Sequence, residues 1–166
     1  MANTNFPGGA EPIKYENGKE LSSEEGALLA ANAVIGYNEL LEMGSDGCLI
    51  QATATSTTLV GISAEHKDAN SGGNIKYYPI EGLIFKMQSN SADIDAQTDF
   101  DLTYAVTTTT ENTTTHRSAS QIAGATSHAT DYPITIRRLA PATDTVGNAL
   151  GLYVKLECKA NPACIF

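Results

Sequence analysis

The chain has few basic residues and no long uninterrupted apolar segment. Its 166 residues include ten Lys and Arg against nineteen Asp and Glu, so the formal net charge is -9. Proteins bind nucleic acids chiefly through basic side chains that release counterions from phosphates, which excludes a free-standing nucleic-acid binder. No apolar run approaches the roughly 20 residues that a membrane-spanning helix needs. The N-terminus lacks the basic and apolar regions of a secretory signal, so we expect a soluble protein made in a cytosol.

Cysteine is scarce, and tryptophan is absent. The three cysteines are Cys48, Cys158 and Cys164, which form no CxxC pair and no Cys/His spacing of the zinc type. This pattern gives little support to a disulfide framework or a zinc site. Free cysteines are commonly buried, so we expect these three to be reduced and mainly structural.

The sequence also lacks the long Glu-, Lys-, Leu- and Arg-rich segments that build helices. It contains 19 threonines and 14 glycines instead, a composition that favours strands and turns. Hydrophobic residues make up 42% of the chain and charged residues 17%, with a mean hydropathy of -0.17. These values are typical of a globular protein, and the length fits one domain with an additional arm.

The domain organisation follows from a change in pattern near residue 22. Residues 1–22 mix Pro, Gly, Asn and charge without a sustained apolar period, which predicts an extended N-terminal arm outside the core. Residues 23–166 are predicted to form a single β-domain. Two alternatives remain for its start: a short helix capped by Ser22 or Ser23, or a buried first strand over 27–35.

Alternating apolar and polar residues predict about eight short strands. Asp46-Gly47, between runs of strand-forming residues, indicates a hairpin. Pro79 cannot donate to a ladder, so its strand lies at an edge or ends there. Further strands are expected over 57–65, 74–80, 83–88, 100–106, 118–122, 134–139 and 150–158. With no crossover helix between them, they predict an all-β fold, an antiparallel barrel or sandwich.

The alternation also predicts which side chains face the core. In 83–88, Leu83, Phe85 and Met87 are expected to point inward, and Lys86 and Gln88 outward. Residues 100–106 are expected to form one strand with four apolar residues on a single face. In the last strand the expected inward residues are Leu152, Val154, Leu156 and Cys158, and the expected outward residues are Tyr153, Lys155, Glu157 and Lys159.

Three histidines and a Thr-rich segment lie in sequence that is typical of loops. Residues 107–130 are predicted to form a long exposed loop with one short strand near its end. His66, His116 and His128 are predicted to be solvated loop residues, and the spacing of the last two matches no local metal motif. There is no GxSxG nucleophile motif. We therefore predict no catalytic residue, no cofactor and no metal site, and hence no enzyme.

Two charged groups have alternative interpretations. Four carboxylates in Asp93–Asp101 could hold Ca²⁺, but the EF-hand pattern fails, and an acidic turn leading into a strand is the favoured interpretation. Arg137 and Arg138 are the only adjacent basic pair in the sequence. Strand alternation predicts that their side chains point to opposite faces, which suits a surface or interface pair rather than a phosphate site.

Six segments, most of them in the middle of the chain, form a further pattern of strands and turns without invariant catalytic residues: Tyr37–Gly47, Leu59–Glu65, Ile75–Pro79, Leu83–Gln88, Asp95–Asp101 and Val154–Leu156. Together, these segments resemble the small capsid decoration (cement, head-stabilisation) proteins of tailed bacteriophages.

The resemblance implies a structural virion protein without catalysis. Such a protein binds the major capsid protein on the outer surface of the shell at symmetry axes, often as a homotrimer, and bridges capsomers. Residues 1–22 would then order on the shell or on a sister protomer. The acidic surface suits a position outside the packaged DNA. The alternative is a tail or head-fibre module that binds a host-surface glycan through the Thr-rich loop and Tyr77, Tyr78, Tyr104 and Tyr132.

Overall fold

The computed structural model describes residues 7–69, 73–109, 111–126, 132–141 and 148–166, and their regular structure is almost entirely β. The strands are β1 (Glu11–Tyr15), β2 (Glu24–Leu28), β3 (Leu40–Met43), β4 (Leu49–Gln51), β5 (Leu59–Ser63), β6 (Asn74–Pro79), β7 (Leu83–Gln88), β8 (Thr103–Tyr104), β9 (Val106–Thr107), β10 (Gln121–Ile122), β11 (Ile134–Leu139) and β12 (Lys155–Ala160). Short 3-10 helices lie at Gln97–Asp99, Gly124–Thr126 and Pro162–Cys164. No helix within the described ranges is long and apolar enough to cross a membrane.

Ten of these strands form two five-stranded sheets. The first sheet has the order β1-β7-β12-β11-β8, and the second has the order β2-β6-β5-β3-β4. Strands β9 and β10 form a separate two-stranded ribbon. Neighbouring strands pair antiparallel. The all-β prediction is therefore confirmed, and the architecture is that of a sandwich, since the described strands do not close into a barrel.

The main core lies between the two sheets. It is built from side chains that are at most 5% exposed and come from both sheets, including Phe85, Ile136 and Leu156 of the first and Leu40, Leu59 and Ile62 of the second. Burial of this apolar surface, at about 25 cal/mol per Å², is what holds one sheet against the other.

A second apolar cluster covers the opposite face of the second sheet. Its buried members are Leu29, Ile35, Leu41, Leu49 and Ile75. Two of them belong to the segment after β2, which folds over β3, β4 and β6. Both predicted alternatives for this region are therefore wrong: residues 24–28 form a strand, and residues 29–35 form an irregular cover.

The N-terminal segment belongs partly to the core, contrary to the expectation for residues 1–22. Strand β1 pairs antiparallel with β7. Ala10 is fully buried and Tyr15 is 5% exposed, and the Tyr15 hydroxyl donates to the Pro79 carbonyl at 3.2 Å. A register shift between Pro12 and Lys14 interrupts the ladder. This bulge removes the alternation of side chains, so the sequence shows no strand period there.

Strands β7 and β6 differ from the sequence predictions, and both lie inside their sheets rather than at an edge. Strand β7 lies between β1 and β12, and Ile84 and Gln88 are buried there beside the predicted inward residues. Strand β6 ends at Pro79, as one of the two alternatives predicted. It is not an edge strand, because β2 and β5 flank it.

Residues 100–106 do not form the single strand that was predicted. Asp101 has φ +62°, a left-handed conformation that interrupts extended backbone. Two-residue strands, β8 and β9, follow it. Phe100 and Leu102 remain only partly buried against the main core.

The last strand begins later than its alternation predicts. Gly151 and Tyr153 have φ of +113° and +58°, so the chain turns there and β12 starts at Lys155. Leu152 is consequently 47% exposed, although it was expected to point inward. Glu157, expected to point outward, is buried.

The two arginines share an exposed side rather than opposite faces. A register shift between Ile136 and Arg138 breaks the alternation of β11, and both Arg137 and Arg138 are exposed. Arg138 donates to both carboxylate oxygens of Glu157, at 2.6 and 3.0 Å. The pair is therefore a surface feature, as predicted, but the bulge decides its orientation.

The position of Tyr15 in the core yields a stability prediction. Replacing Tyr15 by Ala empties a buried site and removes a hydrogen bond, so we expect the free energy of unfolding to fall by about 3–5 kcal/mol. The matched control is Ile13→Ala on the same strand, where the side chain is 36% exposed and a loss below about 1 kcal/mol is expected. Urea unfolding measures both, and equal losses would contradict the assignment of β1 to the core.

Candidate functional site

Two of the three histidines meet, although they lie far apart in the sequence. Glu111 joins them: its Oε1 is 3.2 Å from His66 Nε2 and 3.5 Å from His116 Nδ1. The two imidazole rings stack with their centroids 4.1 Å apart. The His66 side chain is only 14% exposed and that of His116 is 46% exposed, so His66 is not the solvated residue that was predicted. His128 lies outside the described residues. The group of His66, Glu111 and His116 is called the polar cluster below.

One short extended segment brings the two histidines together. Ile35 and Lys67 exchange backbone hydrogen bonds of 3.0 and 2.9 Å. Two residues later, the Tyr37 amide donates to the His116 carbonyl at 2.7 Å, and the Tyr37 carbonyl accepts from Ser118 at 2.8 Å. The segment therefore pairs on one side with the loop after β5 and on the other with the Thr-rich loop.

Asn112 organises the turn that carries Glu111 and His116, the two members of the polar cluster that belong to the Thr-rich loop. Its side-chain oxygen accepts from the amides of Thr114 and Thr115, each at 3.0 Å. Its carbonyl accepts from the His116 amide at 2.7 Å. His116 has φ +53°, which ends the turn and points the chain back toward Tyr37. The turn thus sets His116 on the same side as Glu111.

The Thr-rich loop is exposed only in part. Thr113, Thr114 and Thr115 are exposed, as predicted for residues 107–130. Ser118, Ser120 and Ile122 are buried, which contradicts that prediction for the part after the turn. Residues 110 and 127–130 lie outside the described residues.

Gly36 permits the close approach of these segments. A Cβ atom at this position would lie 2.8 Å from the Ser118 amide nitrogen and 3.1 Å from the Glu111 Cβ. Both atoms belong to the Thr-rich loop, and the first is backbone. Only glycine lets this loop pack against the segment without a shift.

The carboxylate of Glu111 is only partly hydrogen-bonded in the described structure. Its side chain is 8% exposed, and Oε2 is buried without a hydrogen-bond partner in the described structure. Asp68 adds a further carboxylate nearby, 78% exposed and 3.5 Å from His66 Nε2. The ligand atoms of the polar cluster all lie within 4.8 Å of one another. Two imidazole nitrogens and one carboxylate oxygen form a donor set that can hold a metal ion.

A second buried carboxylate, Glu39, lies close to the polar cluster. It is 2% exposed, and Ser120 Oγ donates to it at 2.7 Å. Burial raises the pKa of Glu39 above its ordinary value of 4.5, and the Glu111 carboxylate raises it further. Hydrogen bonds from Ser120, Gln51 and Ser118 lower this pKa in part.

The acidic run of residues 93–101 is used for capping. Asp99 Oδ2 accepts from the amides of Asp95 and Ala96, at 3.1 and 2.9 Å, ahead of a 3-10 helix. This agrees with the acidic-turn interpretation. Within the part of the chain that is described, the polar cluster is the only group of three or more His, Cys, Asp or Glu side chains placed to share an ion.

The cysteines form no disulfide. Cys158 and Cys164 are buried and Cys48 is half-buried, and all three are free. Burial raises the pKa of the Cys158 thiol well above its ordinary range, which keeps it protonated and unreactive. The burial of Cys158 and Cys164 agrees with the expectation that the cysteines are mainly structural.

The four tyrosines considered for glycan binding do not form one platform. Tyr104 is buried in the main core. Tyr77 packs against the second apolar cluster, whereas Tyr78 packs against the main core, so these two point to opposite faces of β6. Tyr132 is partly buried. Sugar-binding aromatic rings must face one solvent-exposed surface, and this arrangement does not provide one from the four.

Residues 11–28, called the N-terminal surface below, are largely exposed and mix charged side chains with a few exposed apolar ones. Strands β1 and β2 are outer strands of the first and second sheets. Ile13, Leu21 and Leu28 are 36%, 40% and 52% exposed, and they are three of the seven large apolar residues that stay exposed in the described ranges. An open groove between the two strands is lined by Tyr15, Lys19 and Glu24, among others.

Comparisons with known proteins identify no relative. No family model matches the chain. No curated protein and no solved structure is significantly similar to it.

The contact at Gly36 yields a prediction for the polar cluster. We expect Gly36→Ala to push the Thr-rich loop away and to lower the free energy of unfolding by about 1–3 kcal/mol. Gly8→Ala is the matched control, because a Cβ there meets nothing within 4 Å. Thermal unfolding of both variants measures the difference, and an unaffected Gly36→Ala variant would contradict the close approach.

The buried Glu39 yields a pH prediction. The folded state holds the Glu39 proton more tightly than the unfolded chain, so this residue's contribution to stability is present below pH 4.5 and is lost as the pH rises through its raised pKa. We expect Glu39→Gln to remove this loss. Denaturant unfolding at several pH values should show wild type losing stability relative to Glu39→Gln as the pH rises above 4.5. A constant difference over that range would contradict the raised pKa.

Proposed function

We propose that this chain is a structural virion protein that binds the outer surface of a phage capsid and stabilises the shell by bridging capsomers. The proposal rests on the resemblance of its strand and turn pattern to capsid decoration proteins. The observation that carries it to specific residues is the N-terminal surface, where three large apolar side chains are exposed on two outer strands and on the chain between them.

This surface has the chemistry of a protein contact. Exposed apolar residues that cluster in one segment commonly mark binding sites on soluble proteins. Ile13, Leu21 and Leu28 lie within eighteen consecutive residues, on and between two sheet edges. We propose that they contact the major capsid protein or a sister protomer.

The outer strands β1 and β2 are better suited to binding a partner through their side chains than to pairing with an added strand of the partner. Each outer strand has a register shift, between Pro12 and Lys14 in β1 and between Glu25 and Ala27 in β2. Bulges, proline and charge on an edge strand are devices that limit pairing with foreign strands. A partner would therefore recognise the apolar side chains rather than extend either sheet along its full length.

The net charge supports the orientation. A chain with a formal charge of -9 is repelled by packaged DNA and suits the outside of a filled shell. We also propose a homo-oligomer, with a trimer favoured, because repeated weak contacts at a symmetry axis add by avidity. Sedimentation equilibrium of the purified chain tests this, and a strict monomer at micromolar concentration would overturn the trimer.

Binding to particles tests the main proposal. Particles of the virus that encodes this chain, prepared without it, should bind the purified wild-type protein at saturable sites on their outer surface. The double variant Leu21→Glu/Leu28→Glu introduces charge at two exposed apolar positions, and we expect it to bind at least about tenfold more weakly. Quantitative pull-down with the particles measures the affinity.

Phe166→Glu is the matched control, since that side chain is 74% exposed and lies outside the N-terminal surface. It should bind as wild type does. Wild-type binding by the double variant would overturn the role of this surface. Absence of the chain from purified particles, together with no binding to them, would overturn the decoration function itself.

A further inference from the structure

We infer that the polar cluster is a binding site for one divalent transition-metal ion, with Zn²⁺ as the expected occupant. The ligands are His66 Nε2, the Glu111 carboxylate and His116 Nδ1. This inference is independent of the proposed capsid function, because it rests only on the geometry and burial of these three side chains.

The spacing of the ligand atoms suits a tetrahedral ion. Ligands bound to Zn²⁺ at about 2.0–2.1 Å in a tetrahedron lie about 3.3–3.4 Å from one another. Glu111 Oε1 is 3.2 Å from His66 Nε2 and 3.5 Å from His116 Nδ1. Both separations that Glu111 Oε1 makes are therefore close to those of ligands around one ion, and the ligand atoms of all three side chains lie within 4.8 Å of one another.

The burial and incomplete hydrogen bonding of Glu111 also favour a bound cation, independently of the ligand spacing. Its side chain is 8% exposed, and Oε2 has no hydrogen-bond partner in the described structure. A buried carboxylate oxygen without a partner costs free energy. A cation bound to this carboxylate would supply the opposite charge that no described side chain provides at Oε2.

The chemistry of the site selects the metal. Imidazole nitrogen favours Zn²⁺ and its transition-metal neighbours, whereas Ca²⁺ and Mg²⁺ require mainly oxygen ligands. Three protein ligands leave one tetrahedral position for water or a further group, and the His116 side chain is 46% exposed to solvent. Asp68, 3.5 Å from His66 Nε2, is the nearest further carboxylate.

The bound ion would act as a cross-link. His66 follows β5, whereas Glu111 and His116 belong to the Thr-rich loop. The ion would therefore tie that loop to the second sheet through two side chains 45 residues apart, in addition to the backbone hydrogen bonds around Tyr37. Fixing a long loop at one point lowers its conformational freedom and stabilises the fold when metal is present.

Metal titration of the purified, metal-stripped chain tests the inference. Equilibrium dialysis against ZnCl2 should give one tightly held Zn²⁺ per chain. At a free concentration of 100 times Kd, the melting temperature should rise by about 5–10 °C. MgCl2 and CaCl2 at the same concentration should leave it unchanged.

Variants locate the ion. We expect His66→Asn, His116→Asn and Glu111→Gln each to weaken Zn²⁺ binding at least about 100-fold. Asn tolerates the positive φ of residue 116. Glu65→Gln and Cys48→Ser are the controls, because they remove a neighbouring carboxylate and a half-buried thiol outside the cluster, and both should bind as wild type does. Circular dichroism confirms that each variant is folded.

X-ray absorption of the zinc-loaded wild type identifies the atoms bound to the ion, so it tests the inference even where a variant does not fold. The expected spectrum shows nitrogen and oxygen neighbours at about 2.0–2.1 Å, with two imidazoles. A sulfur neighbour at about 2.3 Å would assign the ion to a cysteine and overturn the inference. Binding below one equivalent, or equal affinity in the cluster variants and the controls, would overturn it as well.

Discussion

The segment from Leu29 to Asn38 is the constraint on which much of the molecule depends. It lies across the outer face of the second sheet, where Leu29 and Ile35 bury the side that the main core does not reach. The same segment exchanges backbone hydrogen bonds with the loop after β5 and with the Thr-rich loop, and it accepts one from the Ala10 amide near the N-terminus. Because these contacts share ten residues, the packing of one part limits the position of the others.

This arrangement places polar groups at the border of an apolar core. Glu39 follows directly after the segment and is buried, and Glu111 is held next to Gly36. Burial of two carboxylates so close together is unfavourable unless hydrogen bonds or cations offset it. For Glu39 the offset comes from Ser120 and its neighbours. For Glu111 it comes from two histidines on one oxygen, while the other oxygen has no protein partner in the described ranges.

The N-terminal surface has a different balance of polar and apolar groups from the polar cluster. The N-terminal surface contains two sheet edges that neighbouring strands do not cover in the described structure, and each edge is interrupted by a bulge. Apolar side chains are exposed there, whereas the polar cluster buries charged ones. A contact surface and an internal cross-link are compatible on one small β-sandwich, because the first uses the sheet edges and the second uses the loops. The scaffold itself needs no mobile part for either role.

Local sequence patterns by themselves determined the β class, the hairpin at Asp46-Gly47 and the positions of strands β5 to β7 along the chain. Turn residues and side-chain alternation act between near neighbours, so they can be recognised without the tertiary structure. Only the tertiary structure decided that β1 joins the core and that Arg137 and Arg138 share one side, because bulges leave no periodic signal. The polar cluster is likewise a tertiary result: His66 and Glu111 are 45 positions apart, and no local spacing relates them. Gly36 was the one local sign available, but its meaning depends on which chain segment packs against it.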